Sequence, residues 1–179
     1  MLVTVYHGSH EKIKYINYDI CHLGWHAGTL CHAIDAAEPK RMSDSYDWEN
    51  SYIYVSEIDV TDENTVTIPD VFLYDSDFIS IIKKTLKACI KNQFPDNRAA
   101  IVIDDCNEMS DIRETLLNNG IKYIRYENKY ESPGVSYCIL DENINIIEFT
   151  LYNFLTTQLT WTKKPVNERI KYIKNYGNI

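Results

Sequence analysis

Apolar and polar positions along this chain fall into short blocks with different periods. Leu2–Tyr6 is a brief apolar run that reads as a strand. Residues 29–38 read as a helix stopped by Pro39, and 39–50 are polar and loop-like. From Ser51 to Val60 the pattern alternates, with Tyr52, Tyr54, Ile58 and Val60 between polar residues, as a half-buried strand requires. Thr65–Ile68 continues it until Pro69-Asp70 turns the chain. Phe78, Ile81, Ile82, Leu86, Cys89 and Ile90 recur at helical spacing, which predicts an amphipathic helix over 77–92. Ala99–Ile103 is a short apolar run consistent with a buried strand. Ser110 is a candidate N-cap for a helix through Asn119, with Gly120 as its C-cap. Two more strands are predicted at 121–126 and 137–140, around a polar loop containing Pro133-Gly134. Residues 147–161 and 165–176 read as helices. Strands at both ends with helices between predict an α+β class.

At 179 residues the chain fits one domain with at most a small appendage. No apolar run approaches the roughly 20 residues of a membrane span, and no signal-peptide pattern opens the chain, so cytoplasmic residence without membrane contact is expected. The five cysteines, Cys21, Cys31, Cys89, Cys106 and Cys138, are odd in number and irregularly spaced, which argues against a disulfide framework. A net charge of −8 weighs against nonspecific nucleic-acid binding. The charge is uneven: Lys163, Lys164, Arg169, Lys171 and Lys174 face only Glu168 within 151–179, leaving that segment at +4 and the rest at −12.

Candidate chemistry gathers at the start of the chain. The first strand ends in His7-Gly8-Ser9, and Gly24-Trp25-His26-Ala27-Gly28-Thr29 opens onto a helix. All five histidines lie within residues 1–37. Glycines allow close backbone approach to a ligand, and the N–H groups that open a helix favour anions. A nucleotide pocket can be built this way.

These residues resemble a known family. His7-Gly8-Ser9 is similar to the His-Gly-Ser or His-Gly-Thr motif of ADP-ribosyltransferases of the diphtheria-toxin and poly(ADP-ribose) polymerase type. Gly24-Trp25-His26-Ala27-Gly28-Thr29-Leu30, followed by Ala33 and Ala36, resembles the Gly-x-His-Phe-Gly-Thr-Leu pattern of bacterial and phage relatives. Leu117 to Tyr126 resembles their segment ending in Gly-Ile-x-Tyr. It runs on into Asn128, Glu131, Pro133-Gly134 and Ser136-Tyr137-Cys138-Ile139-Leu140-Asp141, which resembles the closing strand. Residues 151–179 lie outside the resemblance.

The resemblance implies a split α+β fold over 1–150, with two small facing β-sheets, flanking helices and an NAD cleft, and a C-terminal helical extension over 151–179 packed on it. It implies transfer of ADP-ribose from NAD, the substrate, to a protein or nucleic-acid acceptor, as in a bacterial toxin, defence or phage effector with an inhibitory antitoxin partner. By the same resemblance His7 binds a ribose hydroxyl, the Gly8 backbone pairs with the nicotinamide carboxamide, and Ser9 supports the ribose. His26, or its neighbour Trp25, packs near nicotinamide; Gly28, Thr29 and Tyr137 complete the NAD site. Polymerase-type members place Glu directly before the closing Tyr, whereas Ser136 precedes Tyr137 here. The catalytic role there falls either to Glu131 or to Ser136.

Other classes stay open. NAD hydrolysis needs the same site as transfer. A noncatalytic NAD-fold binding protein is compatible with the missing Glu. Cys21-His22, His26 and Cys31-His32 offer enough soft ligands for a structural zinc, although no CxxC pair exists and no metal is expected. No cysteine stands in a recognisable nucleophile turn.

Overall fold

The computed structural model describes residues 1–18, 23–37, 51–69, 78–128 and 134–154. Glu131, Cys21, His22, the 39–50 segment and the chain from residue 155 on, with its basic cluster and the helix expected at 165–176, lie outside the described residues.

The described chain is α+β, with two small sheets. In one, β1 (Leu2–Ser9), β3 (Tyr52–Asp59) and β7 (Ile146–Thr150) run antiparallel in the order β1-β3-β7. In the other, the order is β2-β6-β5-β4, from β2 (Trp25–Ala27), β6 (Gly134–Ile139), β5 (Tyr123–Asn128) and β4 (Thr65–Thr67). Among the described strands, only β4 and β5 pair in parallel.

Alternation along the strands builds the layers. Val5, Tyr54 and Ile58 of the first sheet meet Trp25, Ala27, Tyr123, Tyr137 and Ile139 of the second in a core between the sheets. Ile53, Val55, Tyr6 and Phe149 point the other way, onto α1 (Leu30–Ala37) and the short helical turn α5 (Leu151–Asn153). Ile124, Cys138 and Val66 face away from the first sheet, onto α2 (Phe78–Gln93), α3 (Ala99–Val102) and α4 (Met109–Asn118). Helices therefore cover the outer faces of both sheets. Gln93, the last residue of α2, closes the end of β4: its side chain accepts the Thr67 N–H at 2.8 Å and donates to the Thr67 carbonyl at 2.6 Å.

Several expectations hold and several are corrected. The alternating strand and the amphipathic helix form at 52–59 and 78–93. Gly120 ends α4 at φ 83°, with Ile121 N–H on the Leu116 carbonyl and Gly120 N–H on that of Leu117. The helix starts earlier than Ser110: Glu108 is its N-cap, and the Asp111 carboxylate accepts the Asn107 and Glu108 N–H groups. Ala99–Val102 is helical rather than extended. Ala99, Ala100 and Ile103 are buried while Ile101 is 72% exposed, and Asn97 Oδ1 accepts the Ala99 N–H. Thr65–Thr67 does not prolong the preceding strand; it joins the other sheet beside β5. Residues 146–150 are a strand rather than the start of a helix, because β3 has a free edge for Ile146–Thr150 to pair with. Among the described residues, no helix is long and apolar enough to cross a membrane.

Candidate functional site

The two sheets meet at one point. Tyr6 of β1 and Gly28, just past β2, exchange both backbone hydrogen bonds, at 2.9 and 2.8 Å. In an antiparallel ladder, residues two apart present their N–H and C=O to the same side. Gly8 therefore points its amide toward β2, away from β3. The next rung would pair Gly8 with His26, but the ladder stops after Tyr6–Gly28. The His7 side chain takes over the His26 carbonyl, donating from Nδ1 at 2.6 Å. The Gly8 N–H and C=O are left without a partner among the described residues.

The space opened by this missing rung is a cleft of 230 Å³, whose walls include Gly8, His26, Gly28, Tyr126, Asn128 and Ser136. It is somewhat below the ~300–1,000 Å³ of typical small-molecule pockets, so its described part suits a fragment such as a base and its sugar.

The His26 carbonyl selects one tautomer of His7: a carbonyl can only accept, so in the neutral ring Nδ1 bears the proton and Nε2 keeps a lone pair. Burial pushes its pKa below the usual histidine value, although the bond to the His26 carbonyl works the other way. The ring lies 5.1 Å from that of Trp25 and 6.2 Å from that of Tyr54. His26 projects from β2 with Nδ1 2.8 Å from the Tyr126 hydroxyl, the two rings edge to face. The pair spans β2 and β5 across the intervening strand β6.

Behind the cleft a second histidine is locked at the start of α1. Thr29 Oγ1 accepts the His32 N–H at 3.3 Å, and His32 Nδ1 accepts the Thr29 N–H at 3.3 Å. This is a capping box with histidine in the place usually held by Glu. His32 Nδ1 also lies 3.2 Å from Ser136 Oγ, and both residues are buried. Gly28 leaves room for that contact: a Cβ there would sit 2.5 Å from Ser136 Oγ and 2.6 Å from His32 Nδ1. Gly8 serves packing as well, since its missing Cβ would overlap the Ala33 carbonyl oxygen of α1.

The structure brings His7, Gly8, His26, Gly28 and Ser136 to one cleft, although they come from widely separated parts of the chain. Thr29 adjoins it as the helix cap. Three of the expected site residues lie off the cleft wall. Ser9 spends its hydroxyl on a turn, donating to the Glu11 carbonyl at 2.7 Å and accepting the Glu11 N–H at 3.0 Å. Trp25 and Tyr137 lie in the core between the sheets rather than on the cleft wall, because strand alternation turns them inward. Trp25 acts at one remove, as the surface against which the His7 ring rests. Cys31, in α1, is buried in the core between that helix and the first sheet, and no group of three or more metal-ligating side chains converges among the described residues. Tyr126 and Asn128, which the motifs contain without a role, and the bond between His32 and Ser136 are features of the site that the motifs did not assign. The spacing Thr29-x-x-His32 was the available signal for the last of these.

Comparison of the chain with protein-family models, curated proteins and solved structures found no match.

Proposed function

We propose that this cleft takes the nicotinamide-ribose half of NAD and that the protein is an NAD-consuming ADP-ribosyltransferase, with an ADP-ribosyltransferase-like split of its two sheets. One observation carries the reading: the N–H and C=O of Gly8, unpaired among the described residues and kept open by His7 on the His26 carbonyl. A primary carboxamide has the complementary acceptor and donor, and would occupy the missing rung. His7 Nε2 then offers a lone pair to a sugar hydroxyl, and Tyr126 and Ser136 border the same space.

Breaking the bond between nicotinamide and ribose builds positive charge on the sugar. The residues of this site contribute by holding the leaving group on backbone amides and the sugar on neutral acceptors, an orientation effect. A carboxylate near that charge would add electrostatic stabilisation. Glu131 belongs to the connection between Asn128, which lines the cleft, and Gly134, whose missing Cβ would lie 2.8 Å from Thr29 Cγ2.

The test is incubation of the purified chain with labelled NAD, alone and with cell lysate, followed by separate protease and nuclease digestion. Release of nicotinamide with label on a macromolecule supports transfer and identifies the acceptor class. Free ADP-ribose as the sole product makes the protein a glycohydrolase. Binding without turnover makes it a noncatalytic NAD-binding protein. His7→Ala should lower turnover about 10²- to 10³-fold, as loss of one orienting contact commonly does. Absence of both NAD binding and nicotinamide release would sink the reading.

A further inference from the structure

We propose that His32 is a positioning residue that fixes Ser136 as a hydrogen-bond acceptor toward the cleft, so that the ligand group facing Ser136 must be a donor, a hydroxyl or an N–H. The ligand half of this inference rests on the NAD reading above; the orientation half does not.

The argument starts from proton inventory. A backbone N–H can only donate, so the Thr29 N–H on His32 Nδ1 requires a lone pair there. The neutral ring then carries its proton on Nε2. With Nδ1 unprotonated, Ser136 Oγ, 3.2 Å from the same nitrogen, can bond to it only as a donor, sharing its one lone pair with the Thr29 N–H. A serine hydroxyl has one proton, and this geometry commits it to His32. What Ser136 retains is lone pairs, and Ser136 forms part of the cleft wall.

The ring cannot easily turn to escape this role. The reciprocal capping bonds tie both His32 N–H and Nδ1 to Thr29. His32 is buried, and packing confines it from two sides. A Cβ on Gly28 would lie 2.6 Å from Nδ1, and one on Gly134 would lie 3.1 Å from Cε1. Two glycines thus give the imidazole its slot, and any side chain at Gly28 would intrude on the Ser136 contact. A serine merely satisfied in a core would not need its oxygen at a cleft; a cleft serine free to rotate would not need a buried histidine bonded twice to its own helix start.

Two measurements on the full chain test the proposal. The first reads the tautomer. Nitrogen-15 spectra of histidine-labelled protein should show His32 with Nδ1 unprotonated and Nε2 protonated, and Ser136→Ala should shift the Nδ1 resonance toward that of an acceptor with one fewer hydrogen bond. A protonated Nδ1, or no response to Ser136→Ala, overturns the orientation.

The second reads the ligand, using NAD and two analogues that each lack one hydroxyl of the nicotinamide ribose. One analogue should bind the native chain about 3- to 10-fold more weakly than NAD, the range of a single neutral hydrogen bond. That discrimination should fall to about 1 in Ser136→Ala and His32→Leu, if both bonds matter as argued. His32→Asn, whose Oδ1 can stand where Nδ1 stands, should restore it, which a purely structural role for His32 would not do. Discrimination that survives Ser136→Ala, or that His32→Asn fails to restore while it still melts as the native chain does, overturns the positioning role. Failure of the native chain to bind NAD overturns the ligand half together with the proposed function, while the spectra decide the orientation separately.

Discussion

Gly8→Ala tests the packing that sets the site. Gly8 lies where α1 crosses β1, and a Cβ there would be 1.8 Å from the Ala33 carbonyl oxygen, 2.7 Å from its carbon and 2.9 Å from the Ala37 nitrogen. All three are backbone atoms, so no rotamer change relieves the clash. Ordinary carbon–oxygen approach is about 3.3 Å, so α1 and β1 must part by about 1.5 Å. That movement opens the cluster in which Ala33, Ile34 and Ala37 are buried, and overpacking of this kind costs about 2–3 kcal/mol. For a chain of this size the melting temperature should fall by about 4–12 °C. The displacement also moves His32 relative to Ser136, whose contact at 3.2 Å has little slack. NAD affinity should therefore fall with stability, although the Gly8 N–H and C=O are chemically unchanged. Thermal unfolding and equilibrium binding on the same preparation read both. A variant that melts within about 1 °C of the native chain would show that the close crossing is not required and would refute the reasoning.

Gly28→Ala should cost less stability but abolish the His32 response to Ser136→Ala in the imidazole spectrum, because the new methyl meets both side chains of that contact; a spectrum like that of the native chain counts against it. Gly120→Ala should lose about 1 kcal/mol in denaturant unfolding from the left-handed backbone alone, since nothing lies within 4 Å of the added methyl; a loss of several kcal/mol would mean a packing role instead. His7 has a folded pKa below its ordinary value, so the unfolded chain takes up the proton first as pH falls. Stability should decline once pH drops through the ordinary histidine range, the decline ending below the folded pKa, and His7→Gln should flatten that part of the profile in urea titrations. The Asp141 carboxyl is held below the usual carboxylate range by the Asn143 N–H and by Lys122. Its contribution is present above the ordinary carboxylate pKa and lost as pH falls through the lowered one, so Asp141→Asn should reduce the slope of acid unfolding.

What the sequence made legible depends on how much pattern each element contains. Tyr52–Asp59 and Phe78–Gln93 are long enough for their periods to register, and both formed where expected. Ala99–Val102 has four apolar residues in a row, and such a run has no period. Trp25–Ala27 is three residues between glycines, a strand defined by pairing with β6 rather than by anything local. Ile146–Thr150 fits a helix or a strand equally until the open edge of β3 is known. The site follows the same rule. His7, Gly8, His26, Gly28 and Ser136 stand in recognisable motifs. Tyr126 and Asn128 share the strand face of Ile124, but only the register that sets Tyr126 opposite Ser136 brings them to the cleft. Ser9, Trp25 and Tyr137 stand in the same motifs but off the cleft wall, because adjacency in a motif does not say which way a strand residue faces.

An open strand edge is ordinarily a liability, since its free amides invite pairing with another strand. At Gly8 the opening is one rung long. Tyr6 and Gly28 close one end with a pair of hydrogen bonds, and the turn held by Ser9 and Glu11 carries the chain away at the other. The His7 ring occupies the carbonyl that an incoming strand would need. A second strand could make only a single pair of bonds there, too few to offset the entropy of ordering it. A small rigid amide loses far less freedom on binding and needs only that pair. The same three features that end the ladder thus favour a compact carboxamide over a peptide, and this is why the missing rung supports a small-molecule site rather than a docking edge.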